Sequence, residues 1–306
     1  MGSPIEIRLG GYGPPTTTFS RALKAIGDRL QAEFGAAVAV RYIWNIMDFG
    51  YKSEDIIWLV ESGVLTLGYQ SSSYFTDRAP ELGVLDLPFL FKTRDAARAA
   101  MDGKLGDAIG GRIEAAMNHR ILGYFENGFR HISNRLRPVR RPADLAGMRI
   151  RVLPSDVQVR TFELLGAVPL RMDLTEAIER IRAGSIDAQE NPLANTVTYG
   201  VHKFHRFHTL SGHFYLSRPI FLHRPSFDAW PDELKAAMAV AIRDAVVRQR
   251  SEAVEEEAKA LVEIEREGCE VIELDGEGRA AFAGAVAPLR AEARALYPPE
   301  LLALIP

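Results

Sequence analysis

The residues best suited to chemistry lie between Gly147 and Pro192. The stretch "GMRIRVL" places Arg149 and Arg151 two apart in a predicted strand. Both then project from one face, while Ile150 and Val152 take the other. Arg149 reads as a solvated charge. Arg151 stands nearer the strand's C-terminal end, because the strand stops at Leu153–Pro154. In open α/β sheets that end faces the ligand crevice. A guanidinium there offers a planar, two-pronged donor that fits a carboxylate. Forty residues on, "AQENP" brings Gln189, Glu190, Asn191 and Pro192. Asn191 is expected in the loop after a short strand, with its amide aimed at the same crevice. Pro192 would hold the turn, and Glu190 would orient a neighbouring donor.

Other chemistries fit less well. His202, His205 and His208 are spaced by three, with His213 close behind. Imidazole is a common metal ligand, so a metal-dependent hydrolase built on the first three is the alternative from another class. No HExxH pattern supports it, and surface histidines are the plainer expectation. Ser71–Ser73 suits a polar contact or a cap better than a nucleophile, since no GxSxG or phosphate-loop pattern occurs. "GGYG" lacks the spacing of a dinucleotide fingerprint. The single cysteine, Cys269, excludes an internal disulfide and any CxxC motif. Glu255 and Glu257 read as the wet face of a helix. No catalytic residue, metal or cofactor is assigned.

The elements that must position these groups alternate between period two and period 3.6. "PIEIRL" is a strand delivering the loop Gly10–Pro15, and a helix follows with Phe19, Leu23, Ile26 and Leu30 on one side, ended by Gly35. "AVAVRYIW" is a strand, "KSEDIIWLVESG" a helix, and "VLTLGYQSSS" a strand ending in a polar loop. "RILGYFENGFRHISN" reads as strand, turn, strand. "SDVQVRTFELLG" and "LTEAIERIRAG" are helices closed by Gly166 and Gly184. This is the repeating unit of an α/β fold with a largely parallel sheet. Residues 231–267 form one long helix, ~55 Å at the usual rise. Its ends are amphipathic and its centre, "RQRSEAVEEEAK", is polar, as in a strut crossing between two lobes.

A chain of 306 residues is long enough for two domains. A net charge of −3 without a basic stripe gives nucleic acid no footing. "MGSPIEIRL" has no charged and then apolar leader pattern; the expectation is a removed leader, with "MGS" as a foreign remnant.

Taken together, "DLAGMRIRV", "LGAVPLRMDLTEAIERIRAGSIDAQENP", "KFHRFHTLSGHFY" and "ESGVLTLGYQSSSYFTDRAPELGVLDLPFLF" resemble the solute-binding proteins of TRAP transporters, the periplasmic receptors of ion-gradient-driven organic-acid uptake. The resemblance implies a two-lobed periplasmic-binding-protein-like α/β fold with mixed sheets and a long helix spanning both lobes. The expected division is 1–126 plus about 214–250 against 127–213 plus about 251–306, with the ligand cleft between them. It implies that Arg151 makes the two-pronged bond to a ligand carboxylate. Arg130, in "NGFRHISN", would be a second cationic contact, and Asn191 would hydrogen-bond the same carboxylate. From the first lobe it implies Tyr12, Tyr69, Gln70 and Ser71, with Trp44 and Asp48 as further candidates. Leu174 stands where relatives often carry a stacking aromatic, and Arg171 where a small residue or proline is usual. Gln70 replaces a carboxylate present in some relatives. The implied partners are a small organic acid and integral-membrane transporter subunits, for a periplasmic monomer. An amino acid is the alternative ligand, since an arginine clamp also suits an α-carboxylate.

Overall fold

The computed structural model describes residues 3–306; Met1 and Gly2, part of the expected remnant, lie outside the described residues. The chain runs through β1 (Ile5–Gly10), α1 (Thr18–Phe34), β2 (Val38–Ile43), α2 (Ile56–Glu61) and β3 (Leu67–Tyr69). Next come α3 (Arg94–Met101), α4 (Lys104–Ala116), β4 (His119–Asn134), β5 (Arg149–Val152), α5 (Asp156–Leu164) and β6 (Val168–Arg171). α6 (Leu174–Arg182), β7 (Ala188–Asn191), α7 (Leu193–Thr198) and β8 (Phe207–His223) follow. The last elements are α8 (Arg224–Ala229), α9 (Asp232–Arg266), β9 (Glu270–Glu273), α10 (Gly276–Ala285), α11 (Pro288–Leu296) and α12 (Pro299–Leu302). The chain divides into two compact units: Met1–Ser71 with Met101–Glu126 and Ser217–Ala253, and Ser72–Ala100 with Asn127–Leu216 and Val254–Pro306.

In the first unit β1 pairs in parallel with β2 and β3, and β3 runs antiparallel to β8, with Tyr69 opposite Ile220. α1 buries Phe19, Leu23, Ile26 and Leu30. The Thr17 hydroxyl caps it by accepting from the Ser20 N–H at 3.1 Å, and Gly35 (φ +52°) ends it. A side chain on Gly27 would put its Cβ 2.4 Å from the Tyr42 hydroxyl, so glycine is what lets α1 lie this close to β2.

In the second unit β7 pairs in parallel with β5, and Arg151 lies opposite Gln189. β5 also pairs in parallel with β6, and β4 runs antiparallel to β7, with His131 opposite Asn191. Met172, Ala177, Ile181, Ile186 and Val201 form one apolar cluster that seats α6. Leu193, Ala260 and Ile264 form another, where α9 meets α7.

Three expectations are corrected. β4 is one 16-residue strand, not a strand–turn–strand. The Asn127–Gly128 turn signal is absorbed with Gly128 at φ +95° inside the strand, where the chain passes from the first unit to the second. Asn191 is the last residue of β7 rather than a loop residue. The polar centre of α9 is only partly solvated. Gln249 is buried, accepts from the Glu126 N–H and donates to the Glu126 carbonyl, both at 2.9 Å. Glu257 accepts from the backbone N–H groups of Leu193 (3.0 Å) and Ala194 (3.1 Å).

Candidate functional site

Arg151 is brought to the end of β5 by a strand whose apolar partners, Ile150 and Val152, are fully buried. Its own side chain is 1 % exposed. Nε donates to the Met172 carbonyl at 3.1 Å and Nη2 to the Tyr74 hydroxyl at 3.0 Å. Both partners are neutral, and among the described residues no carboxylate pairs with it. A charge removed from water without a counter-charge is costly. Tyr74 is fixed in turn, because its hydroxyl also accepts from the Leu174 N–H at 3.2 Å. Leu174, buried at the start of α6, thus serves through its backbone. Asp173 caps the helix there by accepting from the Thr175 N–H at 2.7 Å.

Arg130 is as deeply buried but has a different occupation. Its Nε and Nη2 hold the Glu190 carboxylate side-on, with Nη2 to Oε1 at 2.7 Å, and Nη2 also reaches the Glu190 carbonyl at 2.7 Å. Its charge is therefore answered within the protein. Only Nη1 has no partner among the described residues, so what Arg130 can offer a ligand is a hydrogen bond rather than a net charge. Burial penalises the charged form of Glu190, but Arg130 and His213 outweigh it and the carboxyl stays below the usual range. His213 is buried, bonds to the Ser211 hydroxyl at 2.7 Å and sets Nε2 3.7 Å from Glu190. Arg149, two residues from Arg151, is half-exposed and paired with Asp187 at 3.0 Å. That hydrogen bond is the main reason Asp187 falls to about 2.

In the β5–β7 register Arg151 lies opposite Gln189, which puts Asn191 two residues further along the neighbouring strand. Asn191 Oδ1 accepts from Asn195 Nδ2 at 3.1 Å, and its own amide N–H groups have no partner among the described residues. Opposite it, His131 Nδ1 accepts from the Gly212 N–H at 3.2 Å, so the ring is neutral. Burial pushes its pKa down to about 3. Arg171 faces away, toward Asp156 (2.8 Å) and Asp77. Behind Tyr74, Ser73 donates to the buried Asp86 carboxylate at 2.7 Å, and Gln158 donates to both.

The first unit supplies a second constellation. Tyr12 and Tyr69 are buried with ring centroids 5.2 Å apart, and Phe19 stacks on Tyr69 at 5.1 Å. The Arg218 guanidinium lies over Phe19 at 4.0 Å and near Tyr12 and Tyr69 at 5.2 and 5.7 Å, within cation–π range. Gln70 is consumed internally, donating to the Ser53 carbonyl (2.9 Å) and accepting from the Ser71 N–H (2.8 Å). The Ser71 hydroxyl is buried with no partner among the described residues. Trp44 stacks on Tyr42 at 4.6 Å, and Asp48 accepts from Asn45 at 2.7 Å, a local bond.

Sequence reasoning missed Tyr74, the Met172 carbonyl and Arg218. Arg218 carried a usable signal, a lone cation inside the apolar run "HFYLSRPIFL". The histidine trio does not converge: among the described residues, only His202 falls in a group with metal-ligand spacing, and its companions are Glu263 and Glu267. His205 is tied to Ser133 (2.9 Å), and His208 to the His205 carbonyl (2.9 Å). Two cavities of the second unit, about 520 and 470 Å³, are not lined by Arg151 or Asn191.

The sequence matches the family described as bacterial extracellular solute-binding protein, family 7, over residues 10–295. It is 31% identical to a solute-binding protein of Verminephrobacter eiseniae, across 89% of this chain and 79% of that one. It is also 31% identical to the 2,3-diketo-L-gulonate-binding periplasmic protein YiaO of Escherichia coli, across 92% and 84%. Among solved structures, the sugar acid binding protein DctPAm of Advenella mimigardefordensis, in complex with galactonate, superposes with a TM-score of 0.92 at 26% identity, covering 98% of this chain and 96% of that one.

Proposed function

From the premise that the chain belongs to the bacterial extracellular solute-binding protein family 7, we propose that it is a receptor that captures a small organic acid by its carboxylate outside the cytoplasm and delivers it to integral-membrane TRAP transporter subunits. The observation that carries this reading is Arg151, a buried guanidinium bonded only to neutral oxygens. A carboxylate would supply the missing charge and accept two parallel hydrogen bonds. The free amide N–H groups of Asn191 stand in the adjoining strand to donate to the same group, and Arg130 Nη1 adds a weaker contact. No residue is given a catalytic role. The acids named for two relatives, 2,3-diketo-L-gulonate and galactonate, head the list of ligands to try.

The test is calorimetric titration of an organic-acid panel into the wild type and Arg151 variants. Truncating one partner of a buried charge pair costs about 2–5 kcal/mol, so Arg151→Ala weakens binding by at least about thirtyfold. Arg151→Lys also binds poorly, because a point charge does not reproduce the fork. Unchanged affinity in both variants contradicts the proposal.

A further inference from the structure

We propose that His202, Glu263 and Glu267 form a binding site for a divalent metal of the zinc class, separate from the Arg151 site. His202 sits in the turn before β8 and is 4 % exposed. Neither ring nitrogen makes a hydrogen bond with a described residue, and Nδ1 is sealed from solvent. A neutral imidazole has one donor and one acceptor to satisfy, and sealing either from water without a partner is costly. Its neighbours are treated differently: His205, His208 and His213 each have a bonded ring nitrogen.

The same space receives two carboxylates. Glu263 lies on the last turn of α9, and Glu267 follows four residues later on the same side. One oxygen of each and one nitrogen of His202 all lie within 4.8 Å of one another. Like charges at this spacing repel. Among the described residues their one ionic partner is Arg266, which donates to Glu263 at 2.7 Å from a position 72% exposed, and so can swing into water without cost to the core. A dication would answer both carboxylates and the idle imidazole together.

The donor set decides the metal class. Calcium and magnesium favour all-oxygen shells, whereas one imidazole and two carboxylates suit zinc and its first-row neighbours. Tetrahedral zinc needs these atoms ~3.3–3.6 Å apart, a contraction that the two glutamates at a helix end can supply. Three protein ligands leave a fourth position for water. The bound metal would staple the end of α9 to the turn carrying His202. The Cys269 thiol already holds that turn by donating to the His202 carbonyl at 3.3 Å.

The experiment is titration of the metal-free full chain with Zn²⁺, and with Co²⁺ as a visible-absorption probe, without organic acid. Expected are one equivalent bound, a raised unfolding temperature and cobalt d–d bands of a four- or five-coordinate site. Removing a supporting group around a metal site typically costs 10–100-fold, so removing a direct ligand in Glu267→Gln should weaken binding by more than about tenfold. Glu263→Gln with Glu267→Gln should abolish it. Both positions are at least partly exposed, so these variants keep the test valid even if His202→Ala does not fold. No stoichiometric binding, or binding that the glutamate double variant leaves unchanged, overturns the inference. Failure here leaves acid binding at Arg151 intact, and failure there leaves this site intact.

Discussion

At the scale of single residues, two equally buried arginines differ in that one has a carboxylate partner and the other does not. Arg130 is held by Glu190, and Arg151 by a carbonyl and a phenol. That difference predicts opposite effects on the ligand-free protein. Arg130→Met leaves Glu190 buried and uncompensated, and breaking such a pair costs about 3–5 kcal/mol. Arg151→Met removes an unanswered charge, so the ligand-free variant should be as stable as the wild type or more so, while acid binding is lost. Denaturant unfolding of both variants checks this. Destabilisation by Arg151→Met as large as that by Arg130→Met contradicts it. Arg151 was legible in the sequence because strand periodicity and the stop at Pro154 fix both its face and its end of the strand. The partner of Arg130 was not, because it is set by cross-strand neighbours 60 residues away in sequence. Likewise Gln70 could be placed beside the loop from sequence, but not its two internal bonds, which depend on where Ser53 comes to lie.

At the scale of elements, α9 reaches the N-terminus of α7 through one carboxylate. Glu257 receives the first two N–H groups of α7, directly after Asn191 and Pro192. Anions are favoured at a helix N-terminus, and α7 has no side-chain cap of its own. Glu257→Ala should lower stability by about 1–3 kcal/mol through the orphaned donors and loosen acid binding by freeing Asn191. Glu255→Ala, two residues earlier and 67% exposed, should change neither by more than about 0.5 kcal/mol. Equal effects of the two, read by unfolding and titration, contradict the positioning role. The sequence showed α9 as one uninterrupted helix, because no proline or glycine breaks it before Gly268. It did not show which of its polar residues are capped or clasped, since a charge on a wet face and a charge facing a helix end share one pattern. β4 failed differently: Asn127–Gly128 is a strong turn signal, and the place of β4 in the sheet between β8 and β7 overrode it.

At the scale of the whole molecule, buried histidines set the response to acid. Burial is the main cause that holds His131 and His205 down at about 3 and His208 at about 4, against 6.5 in the unfolded chain. A base with a depressed pKa in the fold binds more protons when unfolded. Its contribution is intact above pH 6.5 and is lost as pH falls toward the folded value. Asp86 works oppositely, because burial raises it to about 6, so its contribution is intact below about pH 4 and is lost as pH rises through 6. One group against three does not reverse the trend. Stability should therefore fall steadily from pH 6.5 to 4 in unfolding midpoints taken across that range, and a flat or rising profile contradicts it. The α/β character was legible from alternating periods, whereas the grouping of Ser72–Ala100 with the second unit rests on tertiary bonds such as Tyr74 to Arg151 and Ser73 to Asp86. The chain belongs to the bacterial extracellular solute-binding protein family 7, matched over residues 10–295, and the proposed capture of an acid turns on one side chain. The most direct test is a high-resolution structure of the complex with whichever acid binds tightest. Both carboxylate oxygens should lie on the Arg151 guanidinium at about 2.7–2.9 Å, with Asn191 donating to one of them. An acid seated elsewhere, with Arg151 still bonded only to Tyr74 and Met172, contradicts it.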